Sequence, residues 1–149
     1  MQPRRTDAHH ELLDGVRLFV VFDGTCGVCT RFAEWVAKRD HDSRIRLAPS
    51  QRPGVLDGLG LTQEAADREA WAVDAEGRRS AGALAINRVL AELGGVWWLF
   101  GAVAGLPVIR LVEAVGYRWF ARNRGRFSRW GVTPACARPD ADCGPSASG

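Results

Sequence analysis

The 149-residue sequence predicts a single α/β domain built on a central sheet. Three observations carry that expectation. The stretch "VRLFVVFD" (Val16 to Asp23) is apolar and β-branched without alternation, as in a strand covered on both faces. Beyond a glycine turn, Val28, Phe32, Trp35 and Val36 fall at i, i+4, i+7 and i+8, the spacing of an amphipathic helix. A second short strand then closes a β-α-β unit, and the later segments extend the order to β-α-β-α-β-β-α. With 46% apolar and 25% charged residues, the composition is globular and the chain is long enough to bury a core.

Taken in order, residues 1–15 are polar and are expected to form a loose arm. "GTCGVC" turns the chain into the first helix, Cys26 to Asp40, with Thr25 as its N-cap. "RIRLAPS" (Arg44 to Ser50) is the second strand. Gly54, Gly58 and Gly60 punctuate the next segment, and a short helix starts near Thr62. "AWAVDAEGRRSAG" (Ala70 to Gly82) reads as a hairpin turning at Ala75-Glu76-Gly77. "ALAINRVLAEL" (Ala83 to Leu93) gathers Leu84, Ile86, Val89, Leu90 and Leu93 towards one side of a helix that Gly94-Gly95 stops. A further helical stretch is interrupted at Pro107, and its segment with Trp97, Trp98, Leu99 and Phe100 is expected in the core. Residues 131–149, rich in Pro, Gly, Ser and Asp, are expected as a loose tail, leaving 16–130 as the domain.

The net charge is only +3, and every basic residue but Lys38 is arginine, so each arginine alone is a weak pointer to phosphate or nucleic acid. The N-terminal arginines precede no apolar stretch and do not form a secretory signal. The longest nearly apolar run, Val96 to Ile109, has fourteen residues, against the about 20 that a bilayer requires. The expectation is a soluble, cytoplasmic protein, with membrane-surface contact as the lesser alternative. Four cysteines in such a chain point to redox or metal chemistry before structural disulfides.

Cys26 opens the first helix, where backbone N–H groups lack partners and the positive end of the dipole points. Both favour a thiolate and lower its pKa below the free value of about 8.5, which makes Cys26 the attacking nucleophile. Cys29 lies one turn deeper, three, four and seven residues before Phe32, Ala33 and Val36, at the margin of the buried face. A buried, less ionised thiol there suits the resolving role, attacking a mixed disulfide on Cys26. Asp23 ends the first strand. It either accepts the Cys29 proton or binds backbone N–H groups in the turn, the commoner use of Asp there.

Cys136 and Cys143 suit zinc poorly, because structural sites favour ligand pairs two to four residues apart and only Cys26 and Cys29 qualify. Two incidental thiols in the tail are the plainer reading; a mutual disulfide or an electron relay to the helix pair are the alternatives. His9, His10 and His41 lie in polar segments and read as solvated. Arginines 118, 122, 124, 126 and 129 surround Tyr117, Trp119, Phe120, Phe127 and Trp130. Basic residues among aromatics can bind single-stranded nucleic acid. Here Phe120 at i+3 from Tyr117 and Arg124 at i+4 from Phe120 favour a helix docked by its aromatic stripe, with solvated guanidiniums.

"FDGTCGVC", with Asp23, Cys26 and Cys29 in D-x-x-C-x-x-C spacing, resembles the DCC family of thiol-disulfide oxidoreductases. "SAGALAINRVLAEL" and "YRWFARNRGRF" (Tyr117 to Phe127) are similar to its later motifs, in the same order, so the resemblance runs from about Val16 to Trp130. It implies a thioredoxin-like fold with a central mixed sheet flanked by helices, and disulfide exchange at Cys26 and Cys29 with Asp23 as third site residue. No bound cofactor is implied. The partners would be a disulfide-bearing protein or small molecule and an electron donor, with no nucleic acid. Thioredoxins place a cis-proline just before the third strand, whereas "TQEAADREAW" contains no proline. The rival expectation is a non-catalytic module that binds zinc, a membrane surface or another protein.

Overall fold

The computed structural model describes residues 5–104, 106–127 and 133–144. Four strands, β1 (Leu18–Phe22), β2 (Ile45–Pro49), β3 (Trp71–Asp74) and β4 (Arg79–Ala81), form one mixed sheet in the order β2-β1-β3-β4. β1 runs parallel to β2, with Phe22 opposite Pro49, and antiparallel to β3, which forms the expected hairpin with β4. All five residues of β1 are buried, and the first four divide between two cores with the two-residue period of a strand. Phe19 and Val21 join Leu13, Ala48, Val55, Leu59 and Val73 on one face. Leu18 and Val20 join Val36, Ile45, Ala72, Ala85 and Val89 on the other. The continuous apolar run is therefore a strand with no wet face, the α/β arrangement expected.

Helices α1 (Arg5–Leu13) and α3 (Val55–Leu59) lie on the first face, and α2 (Gly27–Ala37) and α5 (Ala83–Leu93) on the second. α4 (Gln63–Arg68) starts where Thr62 caps it, the hydroxyl accepting from the Ala65 amide at 3.2 Å. The polar N-terminal segment is helical over α1, where a loose arm was expected. Leu13 is buried and Leu12 packs beside it, and the Arg46 guanidinium donates to the carbonyls of Leu12 and Asp14 at 2.6 and 3.1 Å. Two adjacent leucines and one distant cation are too short a pattern to register in composition.

α6 (Gly95–Ala104) and α7 (Pro107–Phe127) follow α5. The expectation that Trp97 to Phe100 lie in the core is corrected here: Trp98, Leu99 and Phe100 are each more than half exposed. Trp97, half-buried, packs edge-on against Trp35 at 4.8 Å. The reason is that α6 packs chiefly on α5. At Gly101 a side chain would meet the Asn87 carbonyl at 3.1 Å and the Ala91 amide at 3.3 Å, so α6 lies close on α5 and turns its other faces outward. α7 continues this outward face through Val108, Leu111, Val112, Val115 and Trp119, while Tyr117 and Phe120 face the body as the stripe predicted; the Arg124 guanidinium, expected to stay solvated, turns inward with them and pairs with Asp23. Arg118, Arg122 and Arg126 are exposed; Arg129 and Trp130 lie outside the described residues. No single helix among the described residues is long and apolar enough to cross a membrane.

The tail, expected to be loose, is anchored over residues 133–144. Cys136 and Cys143 are joined in a disulfide, with one 3-10 turn at Ala135–Ala137. The Ala135 amide donates to Thr30 Oγ1 at 3.0 Å, the Cys136 amide to the Gly24 carbonyl at 2.9 Å, and the Gly144 amide to the Gln51 carbonyl at 2.8 Å. Arg52 pairs with Asp142 and Arg138 with Glu34. Three of the tail's backbone donors are thus satisfied by distant body residues, which local composition does not register.

Candidate functional site

The site lies where β1 ends and α2 begins, at the carboxyl edge of the parallel pair β1–β2, the usual place for ligands in such sheets. Asp23 builds the turn. Its Oδ1 accepts from the Thr25 amide at 2.9 Å, the Thr25 hydroxyl at 2.7 Å and Gln51 Nε2 at 3.0 Å. Thr25 is therefore spent on the turn and does not cap α2, as its position had suggested. The N-cap is Cys26 itself, in extended backbone conformation, and its sulfur accepts from the Cys29 amide at 3.3 Å.

The two sulfurs lie 2.6 Å apart, with Cys29 Sγ donating to Cys26 Sγ. That hydrogen bond is the main reason the Cys26 pKa falls to about 6. Burial opposes the fall, the Cys29 amide reinforces it, the Asp23 charge opposes it and Arg124 assists. The same contact holds Cys29 well above the ordinary thiol range, helped by burial and by the charges on Cys26 and Asp23. The ionised-first, protonated-second order is the one the helix start predicted, although the partner thiol outranks the helix amides as its cause. The burial order is the reverse of expectation. Cys26 is only 5% exposed, whereas Cys29 is half-buried. The tail binds on either side of Cys26 in the chain, at the Gly24 carbonyl and at Thr30 of α2.

Three further residues complete the site. Gln51 joins the turn to the tail: its Oε1 accepts from the Gly24 amide at 3.0 Å and lies 3.6 Å from Cys136 Sγ. Thr30, buried, donates to the Cys26 carbonyl at 3.0 Å while accepting from Ala135. Arg124 reaches from α7 to Asp23 Oδ2 at 3.2 Å and to the Asp67 carbonyl. Sequence reasoning named none of these roles. The parallel register that sets Pro49 beside Phe22 was a signal for Gln51, and Arg124 was already placed on the docking stripe of α7.

Tyr117 lies beside Ala70, the residue that leads into β3. Its hydroxyl accepts from the Ala70 amide at 2.9 Å, and burial pushes its pKa up. Gly82 makes room for its ring. With φ of +59°, any side chain there would also meet Tyr117 at 3.2 Å. Between α2, α5 and α7 an apolar cavity of about 450 Å³ opens beside Cys29, walled by Val28, Phe32, Ala33, Tyr117 and Phe120.

A model of the DCC1-like thiol-disulfide oxidoreductases matches residues 20–130. The chain belongs to that family. The D-x-x-C-x-x-C turn, the helix opening at Gly82 and the aromatic–arginine segment of α7, on which the resemblance rested, all lie within the matched region of this DCC1-like chain. Its fold is of the thioredoxin-like α/β class, a mixed sheet flanked by helices with two added at the C-terminal side. Comparison with curated proteins and with solved structures gives no match. Among the described residues no three side chains are grouped to hold a metal, and two of the four cysteines of a zinc set are bonded to each other.

Proposed function

We propose that the protein exchanges dithiol for disulfide at Cys26 and Cys29 with a disulfide-bearing protein or small molecule, in the cytoplasm and without a bound cofactor. The domain over 16–130 carries the reaction. The observation behind this reading is the pair of sulfurs 2.6 Å apart, one ionised near pH 6 and the other held protonated. The Cys26 thiolate attacks one sulfur of the substrate disulfide, forming a mixed disulfide and releasing the other sulfur as a thiolate. That step consumes the charge and the hydrogen-bond acceptor that held the Cys29 proton, so Cys29 becomes more acidic when it must act. It loses its proton, attacks Cys26 Sγ and frees the second substrate thiol. Two electrons pass to the substrate, and an external dithiol resets the pair. Asp23 holds the turn, and its Oδ2, shared with Arg124, is the oxygen through which it would take the Cys29 proton.

The test is the Cys29→Ser protein incubated with a disulfide substrate. Stable mixed disulfides on Cys26, absent from Cys26→Ser, are expected on non-reducing gels and by mass. Loss of turnover in both variants without an adduct would overturn the assignment.

A second reading, attachment to a membrane surface, is favoured by the outward apolar face of α6 and α7 with Arg118, Arg122 and Arg126 beside it. Flotation with anionic vesicles checks it, and a protein that stays at the bottom of the gradient excludes it.

A further inference from the structure

The tail disulfide lies against the turn that carries the nucleophile. The carbonyl of Gly24, two residues before Cys26, accepts from the Cys136 amide. Thr30 accepts from Ala135 while donating to the Cys26 carbonyl, so one hydroxyl separates the tail backbone from that of Cys26. A side chain at Gly24 would meet Cys136 Sγ at 2.5 Å, and the absence of one lets the sulfur reach the turn. Cys26 is buried, whereas Cys136 and Cys143 each reach solvent in part. The attacking residue is buried, and a disulfide is held against the turn that leads into it.

We propose that Cys136–Cys143 is an intramolecular redox partner of Cys26–Cys29, through which electrons pass between the buried pair and the solution. This rests on the exchange reading above. The Cys26 thiolate attacks Cys136 Sγ, forming a Cys26–Cys136 bond and releasing Cys143 as a thiolate. Cys29, giving its proton to solvent, attacks Cys26 Sγ and releases Cys136 as a thiolate. The released thiolates take up protons. Two electrons have moved: Cys26–Cys29 is oxidised to the disulfide and Cys136–Cys143 is reduced to the dithiol, with no outside oxidant. A disulfide that persists among cytoplasmic thiols is usually one that turns over, which suits the tail pair.

The decisive protein is full-length Cys29→Ser, equilibrated in a glutathione redox buffer, acid-quenched and mapped as peptides without reduction. The expected product is a Cys26-to-tail linkage, predominantly to Cys136, whose fraction does not change on dilution of the protein. Cys26 carrying glutathione while Cys136–Cys143 stays closed overturns the relay and leaves the exchange reading standing. Cys26 bonded to neither overturns both. In the otherwise intact chain, Cys136→Ser combined with Cys143→Ser is expected to slow reduction of an oxidised Cys26–Cys29 pair by a protein dithiol at least about tenfold, since a neighbouring tail thiolate acts at high effective concentration. Equal rates also sink the relay.

Discussion

Cys26 and Cys29 stand three residues apart on one helix start, and the backbone there makes them unequal. Cys26 caps α2 and receives both the amide and the S–H of Cys29, so its pKa is lowered while that of Cys29 is raised. Cys136 and Cys143, seven apart on chain with only a 3-10 turn, are bonded to each other and held in place by the body's carbonyls and hydroxyls. The first pair owes its chemistry to local geometry, the second its position to distant residues. A reactive thiolate thus needs little more than the right turn, whereas a partner disulfide needs the finished fold to be delivered.

Gly24 is where the comparison breaks most readily. A methyl group there would lie 2.5 Å from Cys136 Sγ, 2.6 Å from Pro49 Cβ and 2.9 Å from Gln51 Oε1. The strand-held proline has little room to yield, so the tail moves. Gly24→Ala is expected to lower stability by about 1–3 kcal/mol, the usual cost of overpacking, and to make Cys26 alkylate several-fold faster as its cover lifts. Denaturant midpoints and iodoacetamide kinetics measure the two. Unchanged alkylation would mean that the tail does not shield Cys26.

The inequality of the first pair is sharpened by titration. In the reduced protein, Cys26 alkylation should rise with pH through about 6 and then level, since a lowered pKa leaves the thiolate dominant above it. In Cys29→Ala the main cause of the lowering is gone, so the midpoint should move up markedly. Arg124→Gln removes the weakest contributor and should move it up least. An Arg124→Gln shift as large as that of Cys29→Ala would show that charge from α7, not the thiol pair, sets the nucleophile.

Much of the fold was legible because it follows short-range patterns. β1 announced two covered faces by its unbroken apolar run, and Gly77 and Gly94 marked the hairpin turn and the end of α5. Tyr117, Phe120 and Arg124 fell on one side of α7 by helical spacing alone. At the site, the spacing of the cysteines conveyed which thiol ionises. It could not convey that the Asp23 carboxylate would occupy Thr25 and leave the cap to sulfur. Nor could it reveal that the tail binds beside Cys26, which takes a bond between residues 30 and 135. The outward side of α6 was misread for a related reason: an apolar run states what would prefer burial, and only the number of neighbouring elements decides whether burial is available.

The cap on α2 has a consequence for the catalytic cycle. A thiolate is a strong acceptor for the Cys29 amide, but a sulfur already bonded to another sulfur is a poor one. Each time Cys26 enters a covalent link, the first turn of α2 gives up part of its anchorage, and it recovers that anchorage when the link is cleaved. In the proposed exchange the opening of the helix would therefore breathe with turnover, loosest while Cys26 is bonded to another sulfur and tightest while it is a free thiolate.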